Sequence, residues 1–236
     1  MRRNDLYLLP NTRLRVSSGA RNMLDGQLNS GSRSYGVMNV WWKKVLERRE
    51  WVFRTPDQKW DKEMIQPYKK GRDTTVMVWA AFCGIRRSEL LFMPGDPESK
   101  RGGVSAAVYV ETLEEELPTM WEPGLLFMQD NARIHTARMV KKWFEDNAIP
   151  VIEWPPYSPD LNPIEHCWRH IKEWVHEHYP ELIEMKGDVE EIKKRMIEAL
   201  QDAWAHINDE FLMALIASMT ARCEAVIKAE GWYTRY

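Results

Sequence analysis

Cysteine is scarce. The 236 residues hold three, Cys83, Cys167 and Cys223. They are too widely spaced to match a metal-binding pattern or a disulfide framework, which fits a reducing compartment. Net charge is nearly absent as well, at −2, so the overall balance carries no sign of a nucleic-acid partner. No run is apolar enough to span a membrane, and the Arg-rich start has no apolar signal region. The expectation is therefore a soluble intracellular protein. Internal repeats are lacking too. What is present is 44% hydrophobic residues, enough for one sizeable core or two small ones. Charge is unevenly distributed: Arg and Lys dominate residues 1–49, and residues 180–202 lean acidic.

Residues 1–46 mix Arg, Asn, Ser and Gly with little periodicity of either kind, and are expected to be disordered. Patterning begins with a short strand at 49–54, followed by strong strand candidates at 75–82 and 90–93. Residues 104–117 read as an amphipathic helix. Leu125, Leu126, Phe127 and Met128 form an unbroken apolar run after Gly124, the mark of a strand buried on both faces. A helix is expected over 135–147 and a short strand over 149–152. Helices are also expected from Ile164 onward, over 188–206 and over 209–228. Three segments result: 1–46 atypical, 47–179 a core, and 180–236 a helical extension.

Two acids stand out. Asp130 closes the 125–128 strand, and in open α/β sheets chemistry gathers outside the carboxyl ends of strands. Glu165 follows a proline-studded approach, Trp154 to Pro163, that forbids helix until Asn162 can cap one with Pro163 in its first turn. Each has a plainer reading. Glu165 three residues after Asn162 satisfies a capping box and suits the helix dipole. Asp130 could form a turn or accept a phosphoryl group. His135 either orients a phosphate or water or is structural. His166 and His170, four apart on one helix, permit zinc but lack a third ligand.

The stretch Met128-Gln129-Asp130-Asn131-Ala132-Arg133-Ile134-His135, followed by Pro155-Pro156-Tyr157-Ser158-Pro159-Asp160-Leu161-Asn162-Pro163-Ile164-Glu165, resembles the catalytic core of Tc1/mariner-type transposases. The 34 residues between the acids match the Tc1-like branch, and Arg49-Glu50-Trp51-Val52-Phe53-Arg54 with Val76-Met77-Val78-Trp79 look like its fungal members. The resemblance implies an α/β, ribonuclease-H-like fold: a five-stranded mixed sheet flanked by helices. It implies Asp130 and Glu165 as the second and third acids of an Asp-Asp-Glu triad, both metal ligands, with Asn131 and His135 in support. The implied cofactor is Mg²⁺, with Mn²⁺ as substitute. Two such ions about 3.5–4 Å apart activate the nucleophile and stabilise the leaving oxygen in phosphodiester chemistry. DNA is the implied partner, with self-association on paired ends and a nuclear location. Arg133 stands where relatives often carry proline.

The first acid is missing. In the family it ends the first strand, typically as Ser-Asp-Glu after an apolar run, and no such sequence occurs before Trp51. The first strand is expected to be missing with it. The genetic code offers a reason. Take the last nucleotide of each codon with the first two of the next. Gly36 to Val37 then allows Ser, Val37 to Met38 allows Asp, and Met38 to Asn39 is forced to Glu. Trp41 to Trp42 is forced to Val, and Trp42 to Lys43 to Glu. The shifted reading, Trp-Ser-Asp-Glu-Cys-x-Val-Glu, is the missing motif, so residues up to about 46 are expected to be out of frame. No helix-turn-helix region that would recognise transposon ends is found either. The preferred reading is a degenerate fragment of a metal-dependent transposase endonuclease, with nonspecific DNA contact at most. An intact enzyme would need the full triad. The alternative is a domesticated structural or interaction protein that keeps the scaffold without catalysis.

Overall fold

The computed structural model describes residues 16, 18–23, 36–43, 74–99, 102–156, 158–232 and 234–236, with 36–43 as backbone. The strand expected at 49–54 lies outside them.

The sheet is built on β2 (Thr75–Cys83). β1 (Gly36–Lys43) runs antiparallel to it, with Val37 opposite Ala81 and Met38 opposite Ala80. β3 (Arg86–Arg87) and β4 (Leu91–Met93) pair with β2 antiparallel. The sheet therefore has a first strand after all, formed from residues expected to be disordered. Val16 and Ser18–Met23 are helical, and Val16, Ala20 and Met23 are buried. Their spacing of four and three is a helical stripe, which the polar residues around it obscure in the sequence.

β2 is buried along nearly its whole length because each face serves a different core. Val76, Val78, Ala80 and Phe82 pack with one set of helices, and Met77, Trp79, Ala81 and Cys83 with another. A period of two sends alternate side chains to opposite faces, so a strand covered on both sides reads as a continuous apolar run.

On the second face lie α1 (Ala106–Met120) and α2 (Arg138–Asp146), through Tyr109, Leu113, Leu117, Val140 and Phe144. Ser105 caps α1 by accepting from the Val108 amide. The 125–128 run makes less strand than its composition promised. It is a single parallel bridge, Phe127 to Val151, with the Phe127 amide donating to Pro150 O and the Ile152 amide to Phe127 O. Among the described residues the sheet itself is antiparallel, and this isolated bridge outside it is the parallel pairing.

On the first face lie α3 (Ile164–His178) and α5 (Val189–Ala205), separated by the short α4 (Glu181–Glu184). Cys167, Trp168, Ile171 and Val175 of α3 share a core with Met196, Ala199, Leu200 and Ala203 of α5. The end of α5 is fastened to the sheet: Trp204 Nε1 donates to Ser88 O at 2.8 Å, and Arg87 donates to the carbonyls of Ala205 and Ile207. Those are carbonyls a helix C-terminus leaves unpaired.

The helix expected over 209–228 is two, α6 (Asp209–Ala217) and α7 (Met219–Lys228). At the joint Ser218 Oγ donates to Leu215 O at 2.6 Å, a side-chain bond that competes with the helical ladder. α7 meets the turn before α3, with Met219, Cys223 and Val226 packing on Leu161, Trp154 and Met128. Residues 180–236 thus share the cores of the rest. No described helix is long and apolar enough to cross a membrane.

Candidate active site

Each residue of the triplet Gln129-Asp130-Asn131 has a separate task. Gln129 is buried, and its Oε1 accepts from Tyr109 OH of α1 at 2.7 Å. Asn131 Nδ2 donates to Trp154 O at 2.7 Å, which ties the end of the 125–128 run to the proline turn. Between them Asp130 turns towards the site. Its Oδ1 accepts from the Ala132 amide at 2.8 Å, a local Asx-type bond, and lies 2.7 Å from His135 Nδ1.

Glu165 arrives from the other layer. A 3₁₀ turn, Pro159–Leu161, precedes α3, and Glu165 sits in the first turn of that helix. The helix N-terminus favours its negative charge. The expected cap is not made. Asn162 is fully buried, and neither its Oδ1 nor its Nδ2 has a hydrogen-bond partner. Pro163 takes the cap position without a side-chain bond. The turn is held instead from the C-terminus. Arg222 donates to Asp160 O at 2.8 Å, and Thr234 Oγ1 donates to Asp160 Oδ2 at 3.0 Å. These partners lie some 60 to 75 residues away in sequence, beyond any local pattern.

The two carboxylates feel each other. Burial raises the pKa of Glu165, Lys172 on the same helix opposes the rise, and the charge of Asp130 adds to it. At Asp130 burial also pulls upward, but the hydrogen bond and charge of His135 and the Ala132 amide outweigh it, so its pKa is lowered. A cation between the two would relieve the pair. The donors are oxygens, which suits a hard ion such as Mg²⁺, held through one or two carboxylates with water completing its shell. Among the described residues no further acid is grouped with them to hold a second ion. No group of three acids, histidines or cysteines that could hold a metal occurs among the described residues, and β1, Gly-Val-Met-Asn-Val-Trp-Trp-Lys, contains no acid. His166 and His170 belong to no metal cluster among those residues.

The chain as a whole resembles known proteins. The sequence pattern of the family described as DDE superfamily endonuclease matches residues 46–186, more than half of the chain. The chain belongs to this family. The chain is of Tc1/mariner transposase type. It is 29% identical over 193 residues to the Tcb2 transposase of Caenorhabditis briggsae, covering 79% of this chain and 64% of that protein. It is 32% identical over 164 residues to the Tc3 transposase of Caenorhabditis elegans, covering 66% and 44%. The chain thus spans under two thirds of the length of these relatives. Among solved structures, the Mos1 transposase paired-end complex with left transposon end superposes with a TM-score of 0.70 at 21% identity, covering 97% of this chain and 65% of that one. The catalytic domain of Mos1 mariner transposase superposes at 0.59 and 18%, covering 98% of both. These likenesses establish the ribonuclease-H-like fold of the chain.

Proposed function

We propose that this chain is a transposase endonuclease domain whose site retains two acids of three, Asp130 and Glu165, holds one divalent cation, contacts DNA without sequence preference, and cleaves it no faster than background. The observation that carries this reading is that Asp130 and Glu165, on elements of opposite layers, are near enough for the charge of one to raise the pKa of the other, while no third acid groups with them among the described residues. Mos1 complexes with Mg and with Mn exist for a protein of this fold, and an all-oxygen pair suits either ion. When bound, a divalent ion supplies Lewis acidity at a phosphate oxygen. The chain's own residues hold and orient: Glu165 and Asp130 offer oxygens, His135 and Ala132 fix the angle of Asp130, and Asn131 braces the two loops. With one carboxylate missing, the two-ion clamp on attacking and leaving oxygens cannot be completed.

A shifted reading frame would account for the acid-free strand, since one nucleotide of shift allows Asp at the Val37 to Met38 junction.

The test is nicking of supercoiled DNA with Mg²⁺ or Mn²⁺. The native chain and Asp130→Asn are expected to be indistinguishable from buffer. Nicking by the native chain that Asp130→Asn abolishes would show an intact enzyme. At the locus, codons that cannot encode Asp at the Val37 to Met38 junction would sink the frame-shift explanation.

A further inference from the structure

His135 makes a contact with Asp130 that assigns it a narrower task than general support. Its Nδ1 lies 2.7 Å from Asp130 Oδ1 and 3.2 Å from the main-chain oxygen of the same residue. Two acceptors face one ring nitrogen, so that nitrogen carries the hydrogen and donates. The ring cannot easily turn away. His135 is 2% exposed, and its ring packs on that of Tyr109 with centroids 4.8 Å apart. Tyr109 is itself buried and anchored by its bond to Gln129. The chain thus closes on itself: α1 fixes the tyrosine, the tyrosine walls the histidine, and the histidine holds the carboxylate.

The two oxygens of Asp130 are consequently unequal. Oδ1 receives two donors, His135 Nδ1 and the Ala132 amide, which occupies both of its lone pairs. Oδ2 receives none. We propose that His135 is a positioning residue that locks Asp130 through Oδ1 and so presents Oδ2 alone, already oriented, to a single divalent cation. This rests on the reading of Asp130 as a cation ligand. A carboxylate free to rotate would have to be ordered when the cation binds; one held beforehand loses less freedom, and such outer contacts are worth roughly 10 to 100-fold in metal affinity.

Two substitutions separate holding from mere packing. His135→Asn keeps a donor at the branch position of Nδ1 but loses bulk. His135→Leu keeps bulk but loses the donor. Mn²⁺ affinity of the full chain is measured by electron paramagnetic resonance, with circular dichroism to confirm that each variant is folded. Positioning predicts His135→Asn within about threefold of native and His135→Leu weaker by about 10 to 100-fold. Packing predicts the reverse order, and that order, or His135→Leu binding as tightly as native, overturns the proposal. A second arm needs no metal. In ¹⁵N-labelled protein His135 should show a protonated Nδ1 with a downfield, slowly exchanging proton that moves upfield in Asp130→Ala, where only the main-chain acceptor remains; an unprotonated Nδ1, or a proton unmoved in Asp130→Ala, also overturns the proposal. If the native chain takes up no Mn²⁺, the cation reading fails, and the nitrogen pattern still decides whether His135 holds Asp130.

Discussion

Glu165 and Asp130 are both carboxylates, yet folding treats them oppositely. Glu165 has its pKa raised above 4.5, by burial first and by the charge of Asp130. Its ionised form is therefore disfavoured in the fold, and its unfavourable contribution is absent below pH 4.5 and complete above the folded pKa. Glu165→Gln should raise the melting temperature at pH 7 by about 2–4 °C, the equivalent of about 1 kcal/mol for a chain of this size, and this gain should vanish at pH 4 in calorimetry. Asp130 has its pKa lowered below 3.8, so its stabilising contribution is present above that value and lost as pH falls through the folded pKa. Asp130→Ala should lower the melting temperature at pH 7, and less so in strong acid. Cation binding follows the same logic: protons compete for Glu165, so Mn²⁺ affinity should fall as pH drops through its raised pKa. Strand-end position and motif single out both acids in the sequence. The contact of His135 with Asp130 is not legible there, because no periodicity reveals a ring folded back on its own turn.

Elements show where pattern reading succeeds and where it stops. β2, α1, α3 and α5 were all legible, because their apolar spacing matches the cores they fill. The break at Ser218 was not, since neither glycine nor proline marks it and the deciding contact is a hydroxyl on a carbonyl. The end of α2 offers a test of local physics. Ile149 N bonds to Phe144 O at 3.0 Å and Ala148 N to Glu145 O at 3.1 Å, a Schellman ending with Ala148 at φ 53°. Glycine adopts that conformation without the side-chain clash. Ala148→Gly should therefore stabilise the protein by about 0.5–1 kcal/mol in urea titration, although glycine within a helix would do the opposite. The proline turn gives a second test. The Asn162 side chain makes no hydrogen bond, so Asn162→Ala should change stability by no more than about 1 kcal/mol. A loss of about 2–3 kcal/mol would mean that a buried partner had been orphaned.

At the scale of the molecule, the pattern shared with the family ends at residue 186, but the cores do not. α5 and α6 complete the first core, and α7 with Thr234 and Arg222 steadies the turn ahead of Glu165. The expected boundary at 180 follows composition, whereas packing runs through it. The fold was therefore legible from a motif of two acids; what closes around those acids was not, because it depends on contacts between distant residues. The missing acid is the central claim, and β1 lets it be tested directly. Successive positions of a strand face opposite sides, so of Val37→Asp and Met38→Asp only one can place a carboxylate toward Asp130 and Glu165. Nicking of supercoiled DNA with Mn²⁺ should stay at background for the native chain and for one of these variants, and rise clearly above it for the other, with Asp130→Asn cancelling the gain. Background rates from both variants, or nicking by the native chain that Asp130→Asn abolishes, would contradict the account.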